Sequence, residues 1–480
     1  MCKAGNSFDL IVVGGGPAGM FCAYEMLRIY PGKKILVIER GKKVAERKCP
    51  EKECGKCLKC KPFCNITNGS SGAGAFSDGK LSLFNQEDDD FYVGGNLHKY
   101  IGVAETKRVI SYTDEIYLKF GATQKLEGVA YPAEVAKIRK SAERASLDLV
   151  NIPIRHLGTD KAHILYQKIE KYLKDNGVIT LFETEVVDLI VEDNVISGVQ
   201  YTSNQINNQQ MCAYADKVIV AVGRGGADWL EEMCKKHNIV SSPAIIDVGI
   251  RYELPDTVMS EINSYMYEGK FVGKPNPFND KVRTFCQNPS GFVSAEAYKD
   301  GLILANGHSA KGKKSQNTNL ALLVSIALPG VDAPMEYSRN IARNLNSLAG
   351  GQVMVQRFGD VKLGKKTMTE DLKVNTVVPT LKSAIPGDIC LGMPYRIMTD
   401  IVGFIEMLDK VIPGFAGEDN LLYGPELKFY SNKVDINSNF ETSISGLYAI
   451  GDGCGLTRGL MMASASGVQL ARSLYCAETV

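Results

Sequence analysis

The segment Phe8–Gly19, Phe-Asp-Leu-Ile-Val-Val-Gly-Gly-Gly-Pro-Ala-Gly, restricts the fold of this chain more than any other. A short run rich in β-branched residues passes into Gly14-x-Gly16-x-x-Gly19 and then into the helix-compatible stretch Met20–Tyr30, which reads as strand, tight turn and helix. Gly14 permits the turn, Gly16 lets the backbone approach a pyrophosphate, and Gly19 lets the helix close on the strand. The helix N-terminus offers unpaired N–H groups to the anion. A second strand over Lys34–Ile38 ends in Glu39, twenty residues after Gly19, with Arg40 beside it. A carboxylate there accepts hydrogen bonds from a ribose 2′-OH and would repel a 2′-phosphate. The motif predicts a dinucleotide-binding α/β domain at the amino end.

A chain of 480 residues has room for two or three domains. Its 55 Lys and Arg against 54 Asp and Glu give a net charge of +1, which supplies no global field for nucleic acid or an anionic membrane. No apolar run approaches the ~20 residues that cross a bilayer. No signal peptide is legible either, so the expectation is a cytoplasmic protein without membrane partners.

Near the carboxyl end, Thr442-Ser-Ile-Ser-Gly-Leu-Tyr448-Ala-Ile-Gly451-Asp452 reads as a strand that delivers an acid, followed by a small-residue helix over about 461–475. This stretch resembles the second FAD motif of glutathione-reductase-like flavoproteins. The resemblance implies that Asp452, with Gly451, binds the ribityl or pyrophosphate part of the flavin cofactor. It also implies that Val218–Gly226, with Gly223 in its turn, is the family's internal strand where the chain leaves the FAD domain. Asn68–Leu81, His156–Asp160, Asp247–Arg251, Arg283–Cys286 and Asn306–His308 extend the similarity over nearly the whole chain, to FAD-dependent dehydrogenases distantly related to bacterial NAD(P)/FAD oxidoreductases. Gly74, Ser77, Asp78 and Gly79 would by this resemblance lie against FAD. One departure is visible: Gly424-Pro-Glu426-Leu-Lys428 stands where the family carries an Arg-bearing G-x-E-x-R stretch.

The implied architecture is a Rossmann-like FAD domain assembled from residues 1–93, 155–238 and 429–480, a helical insertion over 94–154, and a β-rich mixed α/β substrate domain over 239–428. Within the first, helix spacing over Asp160–Asn176 ends at Gly177, and Val178–Tyr201 reads as a hairpin turning at Asp193-Asn194. No second strand–GxGxxG–helix unit follows, so a separate nicotinamide domain is not expected.

Five of the 13 cysteines, Cys49, Cys54, Cys57, Cys60 and Cys64, crowd into one Lys-rich segment within the FAD domain. Their C-x-x-C-x-x-C-x-x-x-C run matches ferredoxin ligand spacing, with Cys49 or Cys64 as the fourth ligand of a [4Fe–4S] cluster. A structural zinc knuckle uses the same residue type, and metal-free thiols are the third alternative.

In the substrate domain, His308 at a loop position has the titration range of a proton donor. Cys286 could be a redox thiol, and Arg251 and Arg283 could clamp a carboxylate. The bland alternatives are a surface histidine, a buried inert thiol and structural ion pairs. Likewise, Thr159 or Asp160 as an N-cap would explain the His156–Asp160 motif without catalysis. The leading expectation is an FAD-dependent oxidoreductase that exchanges hydride with a small organic substrate, an activated C=C being the preferred one. The reaction is expected in a cleft between the two domains, with His308, Arg283 and Cys286 as catalytic candidates. Electrons would pass through the cysteine cluster, a ferredoxin-like partner or visiting NAD(P)H. An RNA-modifying or RNA-binding flavoprotein with a zinc knuckle and a flavin redox sensor without turnover are the competing readings.

Overall fold

The computed structural model describes residues 6–48, 63–76, 79–84, 94–203, 209–242, 246–266, 268–297, 301–308, 313–326, 334–428 and 433–478. The chain forms two compact units, one from residues 1–126, 153–242 and 431–480, the other from 127–152 and 243–430.

The first unit is built on a parallel sheet of five strands, in the spatial order Ile179–Leu181, Ile35–Ile38, Leu10–Val13, Val218–Val220, Leu447–Ala449. Numbered along the chain this is 3-2-1-4-5, the order of a Rossmann fold, whose topological switch lies between Leu10–Val13 and Val218–Val220. Apart from the edge strand Ile179–Leu181, the strands are buried throughout, which accounts for their unbroken apolar runs. The helices Pro17–Ile29 and Leu460–Glu478 meet backbone to backbone: a Cβ on Gly467 would lie 2.2 Å from the Ala18 carbonyl oxygen. A separate antiparallel sheet joins Thr184–Glu192, Val195–Ser203 and Gln210–Tyr214, with Asp193 and Asn194 both at positive φ in the connecting turn. Gly177, at φ 92°, follows the helix Thr159–Asp175.

The second unit carries an eight-stranded sheet, antiparallel except at one edge pair. Its four central strands are Leu421–Lys428, Ile246–Pro255, Asn317–Ile326 and Lys281–Asn288. Val248, Ile250, Tyr252, Leu254, Val282 and Val324 belong to an apolar core that also takes in Ile397, Ile401 and Phe404 of the helix Tyr395–Asp409. Alternation sends Asp247, Arg251 and Glu253 to the other face, and all three are buried there as well. A separate two-stranded arm joins Phe292–Ala297 with Ile303–His308.

The segment 94–154, which reads as one helical insertion, is divided between the units at residue 126. It contributes the helices His98–Ile101 and Val103–Lys119 to the first unit. To the second it gives the helix Pro132–Arg144 and a strand, Leu147–Asn151, which pairs with Gly269–Gly273. Leu147, Leu149 and Asn151 are buried while Asp148 is exposed, a period-two signal lost among the flanking charged residues.

Candidate cofactor site and neighbouring clusters

The glycine turn is shaped by close backbone approach. Gly14 adopts φ 109°, and a Cβ there would sit 2.5 Å from the Ala221 carbonyl oxygen. A Cβ on Gly19 would lie 2.1 Å from the Gly14 oxygen. Gly16 is different: nothing lies within 4 Å of where its Cβ would be. It also precedes the helix Pro17–Ile29 without any side-chain cap, so the first helical N–H groups face the space that Gly16 keeps clear. Two glycines thus serve packing, and the third leaves open space at the helix N-terminus.

Glu39 is 6% exposed, and its carboxylate accepts from the N–H groups of Gly15 at 2.8 Å, Gly41 at 2.8 Å and Gly69 at 3.0 Å. It thereby ties three chain segments together. Its neighbour Arg40 donates to Asn68 Oδ1 and to the Gly225 carbonyl, and lies over the Phe63 ring.

A residue the motifs do not announce organises the adjoining loop. Arg47 is 3% exposed and donates to the carbonyl oxygens of Asn65, Ile66, Ser70 and Gly72 at 2.6–2.8 Å. Burial lowers its guanidinium pKa to about 10, opposed by Glu39 and Cys64. The gripped loop reaches the glycine turn directly, because the Ser71 N–H donates to the Gly15 oxygen at 2.7 Å. Nothing in the sequence around Arg47 distinguishes it from the solvated cations nearby.

Gly74 and Gly79 are accounted for by packing. A Cβ on Gly74 would meet Leu460 at 2.9 Å and the Tyr166 hydroxyl at 3.0 Å, and one on Gly79 would meet Leu157 at 2.7 Å. Ser77 and Asp78 lie outside the described residues.

The second motif closes against the first. A Cβ on Gly453 would sit 2.6 Å from the Gly223 oxygen, and Gly451, at φ 80°, comes close to Ala18. Burial raises the Asp452 carboxyl, opposed by Arg224 at 3.9 Å, by the Thr457 hydroxyl at 2.8 Å and by the Gly459 N–H at 3.2 Å. The turn at Gly14, the turn at Gly223 and the acid at Asp452 come from three distant segments and meet at the carboxyl ends of adjacent strands.

Of the cysteine segment, Cys49, Cys54, Cys57 and Cys60 lie outside the described residues. Cys64 is exposed. Burial would raise its thiol pKa, but N–H groups of Ile66 and Thr67, the Thr67 side chain and the Arg47 charge bring it below the usual range. Among the described residues no group of three or more His, Cys, Asp or Glu side chains is placed to hold a metal ion.

In the second unit the candidates separate into two settings. Arg251 is fully buried: its Nε donates to Asn319 Oδ1 at 2.7 Å, Nη2 to the Cys286 carbonyl at 2.7 Å and to Asn288, and Nη1 lies 3.6 Å from Glu426. A Cβ on Gly307 would lie 1.9 Å from that guanidinium, so the arm bearing His308 crosses directly over Arg251. His308 itself is exposed at the strand end and stacks on Phe292, with ring centroids 5.9 Å apart. Cys286 is not disulfide-bonded and adopts φ 47°, within the bulge between Phe285 and Asn288. Arg283 pairs with buried Asp247 and covers Phe285. Arg251, Cys286 and the Asn306–His308 stretch are therefore brought together. The two arginines are engaged with protein partners rather than arranged as an open clamp. Lys428, where an Arg would fit the family pattern, still reaches Glu426 at 3.0 Å. The helix that follows His156 already includes Thr159 and Asp160, so neither holds its N-cap position. The N-cap is Gly158, at φ 76°, a conformation that favours glycine.

Comparison with known proteins adds a family. Residues 247–428 match the family described as "FAD-dependent protein, C-terminal domain-like", a stretch that contains Asp247–Arg251, Arg283–Cys286 and Asn306–His308. An uncharacterized protein of Clostridium beijerinckii is 24% identical over 484 residues, covering 97% of this chain and 80% of its own. Among solved structures, Aspergillus oryzae formate oxidase aligns with a TM-score of 0.45 at 13% identity over 99% of both chains. L-proline dehydrogenase from P. horikoshii aligns at 0.38 and 12%, over 98% of this chain and 94% of its own. No helix among the described residues is long and apolar enough to cross a membrane.

Proposed function

We propose that this FAD-dependent oxidoreductase exchanges hydride with a small organic molecule, an activated C=C being the preferred substrate, and that His308 donates the accompanying proton. The observation that carries the cofactor assignment is the contrast among the three glycines: backbone contact at Gly14 and Gly19, open space at Gly16. Bound FAD supplies two-electron hydride chemistry. The N-terminus of Pro17–Ile29 would hold its pyrophosphate, Glu39 its ribose, and Asp452 the ribityl or pyrophosphate region.

His308 supports the proton-donor role by its type and position. It is exposed, its ring is held by Phe292, and an imidazole can both donate and accept a proton. Arg251 would act through the arm it supports rather than on the substrate. Cys286 and Arg283 are the next candidates should His308 prove dispensable. For electron supply, the C-x-x-C-x-x-C spacing supports a [4Fe–4S] cluster over a zinc knuckle. The absence of a second dinucleotide motif in the sequence supports NAD(P)H as a visitor rather than a resident.

An anaerobic absorption spectrum with metal analysis of the full chain tests these assignments together. FAD in the purified or reconstituted protein is expected, and FMN alone or no flavin overturns the reading. About four irons with dithionite-bleached visible absorbance identify the cluster, whereas about one zinc without it identifies the knuckle. Cys57→Ser and Cys60→Ser variants with unaltered metal content would remove both.

A further inference from the structure

Away from the cofactor turn, the second unit holds a buried carboxyl group that the proposed chemistry does not use. Asp400, on the helix Tyr395–Asp409, is 0% exposed. Neither of its oxygens has a conventional hydrogen-bond donor among the described residues. An isolated ionised carboxylate in such a place would carry a large desolvation cost. The neighbouring group that bears on it most is a second carboxyl, that of Asp280, at the end of the loop leading into Lys281–Asn288. Asp280 is clearly the ionised partner. One turn before Asp400 on the same helix, Arg396 grips it in a fork, with Nε to Oδ2 at 2.5 Å and Nη2 to Oδ1 at 2.8 Å. Two carboxyls can face one another in this way only if one of them keeps a proton.

We propose that Asp280 and Asp400 share a single proton, which fastens the loop Pro275–Asp280 to the helix Tyr395–Asp409, and that this contact is released in mildly alkaline solution. The two elements are tightly apposed: a Cβ on Gly403, one turn after Asp400, would lie 2.9 Å from Pro275 Cβ. Arg396 also covers Phe278 of that loop, whose ring meets Tyr395 edge on. The strands packed against this helix contribute Val248, Ile250, Val282 and Val324 to the shared core, none of them titratable. Lys281, next to Asp280, is lowered first by its burial and then responds to Arg283, Asp247, Asp148 and Lys274. The charged groups acting on Asp400 are thus Asp280 and Arg396.

The direction of the pH dependence follows. Burial first, and Asp280 second, push the Asp400 carboxyl up to about 7, with Arg396 opposing. A folded-state pKa raised above the unfolded value contributes stability that is complete below the ordinary carboxylate range and is lost as pH rises through about 7. This is the reverse of the dependence given by an ion-paired carboxylate such as Asp280.

The test compares the full-length protein with Asp400→Asn by infrared difference spectroscopy and by hydrogen exchange of peptides covering Tyr395–Asp409. The parent should show a protonated-carboxyl C=O band at about pH 6 that disappears by about pH 8.5 and is missing from the variant. Exchange in the parent helix, after correction for the intrinsic rate, should accelerate by up to about tenfold per pH unit from the ordinary carboxylate range up to about 7 and level off above it, while the variant stays flat. Absence of the Asp400-dependent band, or equal exchange profiles in the two proteins, overturns the proposal. Should Asp400→Asn not fold, Asp280→Asn serves instead. Its amide donates to an ionised Asp400 and should move the loss of the band to lower pH, and an unchanged titration overturns the proposal.

Discussion

The two principal sheets bury polarity in opposite ways. In the first unit the strands Leu10–Val13, Ile35–Ile38, Val218–Val220 and Leu447–Ala449 are apolar and buried, and the polar groups stand just beyond their ends, at Glu39 and Asp452. In the second unit Asp247, Arg251, Glu253 and Glu426 sit within the strands, fully buried on one face, and engage one another's neighbours: Arg251 with Asn319, Glu253 with Tyr423 and Thr380, Asp247 with Arg283. A group at a strand end can turn toward a ligand without disturbing the ladder. A group in mid-strand must be satisfied by the protein itself. Strand-end groups in the first unit are thus available to the proposed cofactor, while mid-strand polar residues in the second serve internal support.

The largest effect that tests this division is at Gly16. Gly16→Leu should place its side chain in open space, leaving the fold intact while weakening FAD binding by at least about a hundredfold, on the order of 3 kcal/mol. Gly14→Ala should instead lose the fold together with the flavin, since the Ala221 backbone and φ 109° both oppose it. Flavin titration alongside circular dichroism separates the two. A Gly16→Leu protein that retains FAD would break the contrast at its clearest point.

Next in size is His308. If the arm presents it to substrate, His308→Ala should slow substrate-driven flavin reoxidation without oxygen by ~10²–10⁴-fold, with FAD content unaltered. An unchanged rate would move the role to Arg283 or Cys286. Arg251 beneath the arm should behave differently. Arg251→Met removes the partner of Glu426 and of the Asn288 side chain, and should cost about 3–5 kcal/mol in denaturant unfolding. A full-stability Arg251→Met variant would show that the mid-strand cluster is not structural.

The difference between the sheets also decides what could be read from sequence. Gly14, Gly16, Gly19, Glu39 and Gly451-Asp452 are legible because strand ends impose fixed spacing on short motifs. Arg47, Leu147–Asn151 and the Asp280–Asp400 pair are not. Arg47 is one cation among several until the chain folds around it. Leu147–Asn151 is too short to outweigh the helical pattern before it. Asp280 and Asp400 are far apart in sequence, and nothing local marks their meeting. Gly158 was hidden by better-known capping residues next to it, although its positive φ is of a kind only the backbone reveals.

Glu39 belongs to both descriptions, and a smaller effect there sharpens the comparison most. It stands at a strand end, yet it accepts three backbone N–H groups as a mid-strand carboxylate of the second unit would. With about four lone-pair directions on a carboxylate, one remains for a ribose hydroxyl. Glu39→Gln keeps the shape but turns an amide N–H₂ toward backbone donors. If Glu39 serves the ligand alone, FAD should bind about tenfold more weakly, near 1.4 kcal/mol, and the flavin-free protein should be as stable as the parent. The three internal bonds lead us to expect a second loss: the flavin-free variant should be less stable by about 1–3 kcal/mol in denaturant unfolding, because buried N–H groups lose their acceptor. Equal stability of the two flavin-free proteins would return Glu39 to a purely ligand-facing role and restore the simple division between the sheets.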